Sequence, residues 1–524
     1  MKFTYHNRLN RYIICVLLIC LSLSALAQKT QIKQRKADLM NGFKNSRGEQ
    51  VIRYTGNVEF DIDGTRLFAD SADLNKVNNT LEARGDVIIQ QEKTRLYGDF
   101  LFFDGKKSTG RLYGREVKMV DDKNVLITDL LNFNSKNKSA FYTTGGRITN
   151  EDNTLESIRG YYFSQKKKFY FAGNVDMNGK DGHIRTDSLE YSSDQELAYF
   201  YGPTRIANDD NFVYCEKGWY NRQLEQSNFT QNAYIINGSQ MFYGQNIYYD
   251  KKNGYARAIG EVAVVDTVQK ITIYGGKANI WDKKKEAEVT ENPLLVMQSD
   301  GDSLFLRSDL MIIQNIPDST LPDSSYRLMK AIGDVKFFRG DIQGISDSMY
   351  YNSKDSTMSM FSSPILWNEN NQITATFIKA YTKKNKINRM DFDGSALISS
   401  QEESDKFNQV KGKNMIAHFT NGRLSKLDVK GNGQTVYYIR DEGELSAVNK
   451  AESSDLTVFI HDNKISKILF LKKPIATLYP VDKVEPEEVT LKGFKWLADK
   501  RPASRETIIP KGLKFIQTDK SSQK

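Results

Sequence analysis

Aspartate recurs at one position of a repeated phrase. It closes Leu67-Phe68-Ala69-Asp70, Leu96-Tyr97-Gly98-Asp99, Leu126-Ile127-Thr128-Asp129, Ile184-Arg185-Thr186-Asp187, Leu306-Arg307-Ser308-Asp309 and Gly344-Ile345-Ser346-Asp347. A carboxylate can serve as general acid, general base or metal ligand, but that work needs several different groups converging on one place. Here one residue is spread singly along the chain. Aspartate also bonds to nearby backbone N–H groups in turns, and that structural role is the one assigned to all six. The histidines beyond the first segment, His183, His418 and His461, lie far apart with no cysteine near them, which argues against a His/Cys metal cage. "DIDG", residues 61–64, lacks the other ligands of a calcium loop and reads as a hairpin turn. Phosphate-binding, dinucleotide, nucleophile-elbow and zincin motifs are not found. The chain is therefore expected to be no enzyme, with no catalytic residue, no cofactor and no metal. Arg84-Gly85-Asp86 spells an adhesion signal. Its neighbours in the repeat spell other things, so it is read as a turn.

The repeat supplies the positions. Gly56, Gly85, Gly173, Gly260 and Gly333 stand in x-Gly-x-Val, and the steps from 56 to 85 and from 85 to 114 are each 29 residues. A fixed period of this size indicates stacked repeats. Glycine suits a backbone bulge where the chain enters a strand. Around each Asp the apolar residues change parity: odd offsets before it, even offsets after it (Ala72 and Leu74 after Asp70; Leu101 and Phe103 after Asp99). Strand side chains alternate with period two, so a parity switch without a loop implies a corner. Short runs rich in β-branched and aromatic residues dominate. The expected fold is all-β: an elongated repeat β-jellyroll of folded-over antiparallel sheets, with a short Pro-rich, partly helical C-terminal segment.

Residues 1–27 have a basic start, an uncharged Leu/Ile-rich stretch and Ala25-Leu26-Ala27 before Gln28, the pattern of a cleaved signal peptide. With Cys15 and Cys20 inside it, Cys215 is left alone and no internal disulfide is expected. The formal charge of +9 comes from 74 basic and 65 acidic residues, mostly interspersed. For an exported chain that excess favours anionic lipid or polysaccharide over nucleic acid as partner. Expected divisions are a polar lead-in over 28–50, a first block over 51–313, a Pro- and Ser-containing linker over 314–327, a second block over 328–471 and a C-terminal cap or tail over 472–524. Within that tail Pro486 is expected to start a short helix sharing Leu491, Phe494 and Leu497 on one face.

The unit Gly56-Asn57-Val58, then Leu67-Phe68-Ala69-Asp70-Ser71-Ala72, then Leu81-Glu82-Ala83-Arg84-Gly85-Asp86-Val87 resembles the OstA/LptA-like family. The resemblance covers roughly residues 50–440. It implies a periplasmic β-jellyroll that carries lipopolysaccharide between inner and outer membranes and holds acyl chains in an apolar groove. The implied partners are lipopolysaccharide or its lipid A, and jellyroll transport proteins of both membranes joined by edge-strand pairing. Association with the outer membrane fits the same picture. Only about 80 residues follow position 440, too few for the barrel of the family's large outer-membrane members. Candidate groove positions are Val58, Phe60, Leu67, Val87, Ile89, Leu96, Leu101, Phe103, Leu131, Phe133, Val175, Leu189 and Tyr191. The alternatives are a polysaccharide-acting envelope enzyme on a β-solenoid and a surface scaffold or adhesin.

Overall fold

The computed structural model describes residues 30–516 apart from 122, 181, 210, 299–301, 319–323, 384–385, 421–422 and 462–463. The expected signal peptide lies outside the described residues. The chain forms two compact units, Met1–Ile206 and Ala207–Lys524, and each is taken by itself. Among the described residues there are strands and three short 3-10 turns, and no α-helix. Every pairing resolved between strands is antiparallel, as in Ile52↔Leu74 and Tyr255↔Trp281.

The first unit begins with β1 (Ile32–Lys36), β2 (Leu39–Lys44), β3 (Gln50–Ile62), β4 (Thr65–Asn75), β5 (Thr80–Gln91), β6 (Thr94–Asp104), β7 (Thr109–Asp121) and β8 (Asn124–Asn134). The lead-in over 28–50 thus carries two strands, both paired to β3. Each long strand is folded at its middle. In β3, Thr55 pairs with Ser71 and Val58 with Ala69, so Gly56 and Asn57 together face Asp70. Both bulge residues are left-handed, with φ of 78° and 47°; Gly85 and Asp86 repeat this at 78° and 37°. Only glycine takes the first of these conformations without strain.

The corner aspartate of one strand rests on the corner glycine of the next. A Cβ built on Gly85 would collide with the Asp70 carboxylate, and one on Gly114 would sit 2.7 Å from Asp99 Oδ2. Gly202 with Asp187 and Gly333 with Asp309 make the same contact. Asp99 also accepts the Arg115 backbone N–H at 2.8 Å, and this bond, reinforced by the Arg115 side chain, holds its pKa below the usual carboxylate value. Its contribution is present above the ordinary carboxylate range and is lost as pH falls through the lowered value. Asp129 and Asp347 differ. The strand that follows each is interrupted, at residues 143–145 and 362–364, so the corner there is an open break.

Folding at the corner gives two limbs. Tyr54 precedes the corner of β3 and Phe60 follows it, yet their rings meet edge-on at 5.3 Å. One core cluster joins Leu74, Leu81 and Phe103 of the first limb to Phe60, Leu67 and Val87 of the second. The parity switch is visible in burial: Leu67 and Ala69 are buried before Asp70, Ala72 and Leu74 after it.

In the second unit the second limb is buried on both faces. Runs such as Leu294-Leu295-Val296 and Ile365-Leu366-Trp367 are buried at consecutive positions, as a sheet covered from both sides requires. The outer cover is the C-terminal segment, which runs as a strap across the strands. Val489 and Leu491 pack with Leu397, Val436 and Tyr438; Ile508 packs with Ala263, Tyr274, Leu294 and Phe305. Two buried glutamines grip its backbone. Gln372 donates to Lys495 O at 2.7 Å and accepts from Leu497 N at 2.7 Å. Gln409 donates to Val489 O at 3.1 Å and accepts from Leu491 N at 2.9 Å. Arg501 donates to Gln343 Oε1 through Nε and Nη2, at 2.9 and 2.6 Å. The expected helix from Pro486 does not form; among the segment's described residues the only helical turns are Ala498–Lys500 and Arg505–Thr507. An extended backbone lets alternate residues reach the sheet while glutamine forks satisfy the remaining polar groups. Within 314–327, Gln314 pairs with Leu328 and Pro317 with Ser325.

Two substitutions test these devices. Gly85→Ala forces a Cβ into Asp70 at a positive φ and should lower unfolding free energy by about 1–3 kcal/mol in denaturant. Adding Asp70→Gly should recover part of the loss, since the collision goes and the strained φ stays. Gln409→Leu strands the Val489 carbonyl and the Leu491 amide, and should cost about 1–3 kcal/mol. Faster hydrogen exchange at Leu491 is its signature, and an unchanged rate would remove the assigned grip.

Candidate functional site

The groove candidates converge on the space between the limbs of the first unit. Val58, Phe60, Leu67, Val87, Ile89, Leu101, Phe103 and Leu131 belong to one buried cluster, with Leu96 and Phe133 packed against it. Phe60 and Leu67 are 0% exposed and Phe103 and Leu131 1%, so this interior is filled by side chains rather than open. Val175 and Leu189 lie in a smaller cluster with Phe171 and Phe200, bordered by half-buried Phe169, Ile184 and Ile206. The Tyr191 ring sits 6.4 Å from Phe169 at its margin. Packing loosens toward this end of the unit.

A cavity of about 280 Å³ does lie between limbs, in the second unit. Val264 and Ile273 of the second limb form one wall, and Ile280, Ala287, Ile313 and Met329 of the first limb the other. Cross-strand pairing aligns these side chains: Val264 opposes Ile273, Ala287 opposes both Ile280 and Ile313, and Ile313 opposes Met329. Its volume is at the small end of ligand pockets. The rim holds Asp266, Asp282, Glu286, Lys285 and Arg327. Arg327 is committed, bonding Gln269 Oε1 at 2.7 Å and Asp266 at 3.3 Å. Three carboxylates against two cations make a mixed mouth, not the basic one that would draw phosphate inward. The second-limb wall is the one braced outside by the strap: Tyr274 and Ala263, which contact Ile508, are sequence neighbours of Ile273 and Val264. Burial pushes the Tyr274 phenol pKa up.

Of the cavity walls only Ile313, four residues after Asp309, falls on a position of the repeated phrase; Val264, Ile273, Ile280, Ala287 and Met329 carry no such mark. The usable signal was the loss of alternation. Doubly apolar runs such as "PLLVM", residues 293–297, mark strands covered on both faces.

The titratable candidates are placed apart. Asp70, Asp99, Asp129, Asp187 and Asp347 occupy separate corners in different strands, and Asp309 lies between two strands. His183 Nε2 meets Asp176 at 2.6 Å and His418 Nε2 meets Asp428 at 2.9 Å. Burial works to raise the Asp176 pKa, but the bonds from His183 and Arg185 outweigh it and hold it low. Among the described residues no three His, Cys, Asp or Glu are grouped to hold a metal ion. Arg84 of the Arg-Gly-Asp triplet is tied to Glu82 at 2.9 Å and Asp73 at 3.4 Å, beside an outward-facing concavity of about 610 Å³ that Phe100, Arg111 and Tyr113 also line. No described helix is long and apolar enough to cross a membrane.

Comparison with known proteins gives one family. Residues 29–187 and 172–244 match the family model for OstA-like protein. No curated protein matches the chain. Twenty solved protein chains do. Among them is LptH of Pseudomonas aeruginosa, the LptA-homologous periplasmic component of a lipopolysaccharide transport device. It is 15% identical, with 26% of this chain and 79% of that chain covered, at a TM-score of 0.15.

Proposed function

We propose, from the OstA-like region and the two-limbed fold that surrounds an apolar interior, that this chain is a non-enzymatic carrier of lipopolysaccharide in the cell envelope. The match of residues 29–187 and 172–244 to the OstA-like family model supports this reading. The single observation that carries the lipid reading is the inter-limb cavity, walled by Val264, Ile273, Ile280, Ala287, Ile313 and Met329. Transfer of an acyl chain from water into such walls gains about 0.8 kcal/mol per methylene. Corner carboxylates, spread singly over separate corners, have no part in chemistry on this reading. A tail enters the cavity from the charged mouth, and the headgroup stays outside it.

The proposed setting is the periplasm, with other folded-sheet transport proteins as partners. Terminal strands offer the contact surface. Leu39 and Met40 of β2 are 65% and 64% exposed, and Ile475 and Leu478 of the strand Ile475–Pro480 are 64% and 61% exposed. Among the described residues β2 pairs only with β3, and Ile475–Pro480 only with Glu444–His461. Such edges pair readily with a strand of another chain.

The test is acyl-chain capture. Full-length chain is incubated with lipopolysaccharide bearing a photoactivatable acyl group, and labelled peptides are located by mass spectrometry. Labelling is expected on peptides containing Ile313 and Met329. Met329→Asp should reduce it at least about tenfold, the cost of desolvating a charge beside a tail. Label confined to other surfaces, or unchanged in Met329→Asp, would remove the cavity from the reading.

A further inference from the structure

The limb ends of the first unit are rows of hairpin turns, and the two rows differ in charge. On the first-limb edge, three successive turns carry Lys106 and Lys107, Lys136 and Lys138, and Lys166 and Lys167, and the row ends at the next turn, which carries Asp194 and Glu196. All six are exposed at turn tips. Backbone bonds join turn to turn: Ser135 N donates to Ser108 O at 3.0 Å and Ser164 N to Lys138 O at 3.0 Å. Successive turns on one edge are two strands apart, roughly 10 Å. The lysine tips therefore form a regularly spaced row. Lys107 approaches Asp104 at 3.9 Å; among the described residues the other five make no ion pair.

The second-limb edge is different. Its turns carry Asp63, Glu92, Glu151 and Asp152, and the lysines there are mostly neutralised: Lys123 pairs with Glu151 at 3.3 Å and Lys180 with Asp152.

We infer that the lysine edge of the first unit is a docking surface for an anionic lipid bilayer, and that the acidic edge faces away from it. Charge complementarity over an extended line supports this occupant. All six cations are lysine, none is arginine, and none converges with another on a pocket. Bidentate arginine forks recognise individual phosphates; separate, mobile ammonium groups respond to the summed potential of many headgroups. The edge thus fits a surface rather than a single bound phosphate. The inference does not rest on the carrier reading, because the acyl-chain cavity lies in the other unit.

Flotation of the full chain with vesicles tests it. The chain should float with phosphatidylglycerol–phosphatidylcholine vesicles and not with phosphatidylcholine alone. Binding should vanish as salt rises from about 0.05 M to about 0.5 M. The combined Lys106→Glu, Lys107→Glu, Lys136→Glu and Lys138→Glu chain should bind at least about tenfold less, with an unchanged unfolding midpoint. Lys93→Glu with Lys123→Glu, on the other edge, should bind within about twofold of the parent. Equal loss in both variants would reduce the effect to net charge and overturn the inference. So would retained flotation of the fourfold variant, or soluble polyphosphate binding lost in that variant while flotation persists. Met329→Asp should leave flotation intact, which separates this result from the fate of the acyl-chain reading.

Discussion

The corner at Gly85 and its equivalents is the constraint on which the rest depends. A β-strand 11 or 12 residues long, left straight, would present two faces to two different environments. The left-handed pair Gly-x, packed under the preceding aspartate, turns each strand back so that both halves direct the same apolar set inward. At Gly85, Gly114, Gly202 and Gly333 the glycine receives an aspartate carboxylate from an earlier corner and the two lock together; Gly173 and Gly260 rest on Ile158 and Gln245 instead. A single corner out of register would reverse which face of its limb is apolar, and its neighbours would lose their contacts with it.

Once the limbs face each other, what lies between them is decided by volume. In the first unit Phe60, Leu67, Leu81, Phe103, Leu112 and Leu131 fill the space nearly completely. The outer row of its second limb mixes charges, at Glu59, Asp61, Arg66 and Lys118, with apolar Phe68, Ile88 and Ile127. In the second unit smaller residues, Val264 and Ala287, face Ile273, Ile280 and Ile313 and leave a cavity. There the outer row of the same limb is apolar, and the strap packs on it. A wall that borders a void lacks contacts on that side. Packing on its outer face through Ile508 compensates and keeps it in place. Apolar capacity inside and external bracing therefore occur together.

The turns add electrostatics without touching the core. A hairpin tip needs residues that tolerate left-handed backbone and water, and among these the chain selects lysine on one edge of the first unit and acids on the other. This costs the fold little, since exposed charges at turn tips contribute little to stability. It gives the unit two chemically distinct edges, so orientation against a charged surface can be set independently of the interior.

Much was determined by the residue order alone: strand content, the 29-residue step, the corner at glycine and aspartate, and the side on which Leu67, Leu74, Val87 and Phe103 lie. These are local properties, fixed by steric limits on φ and by the period of two. Tertiary structure decided the rest. It paired Asp70 with Gly85 as contact partners, closed the first interior and opened the second. It also drew residues 486–497 out of an expected helix into a strap. The reason is the range of the interactions. Periodicity says which way a side chain points and nothing of what meets it there; Gln372 finds Leu497 across 125 residues of chain, and no repeat phase encodes that distance.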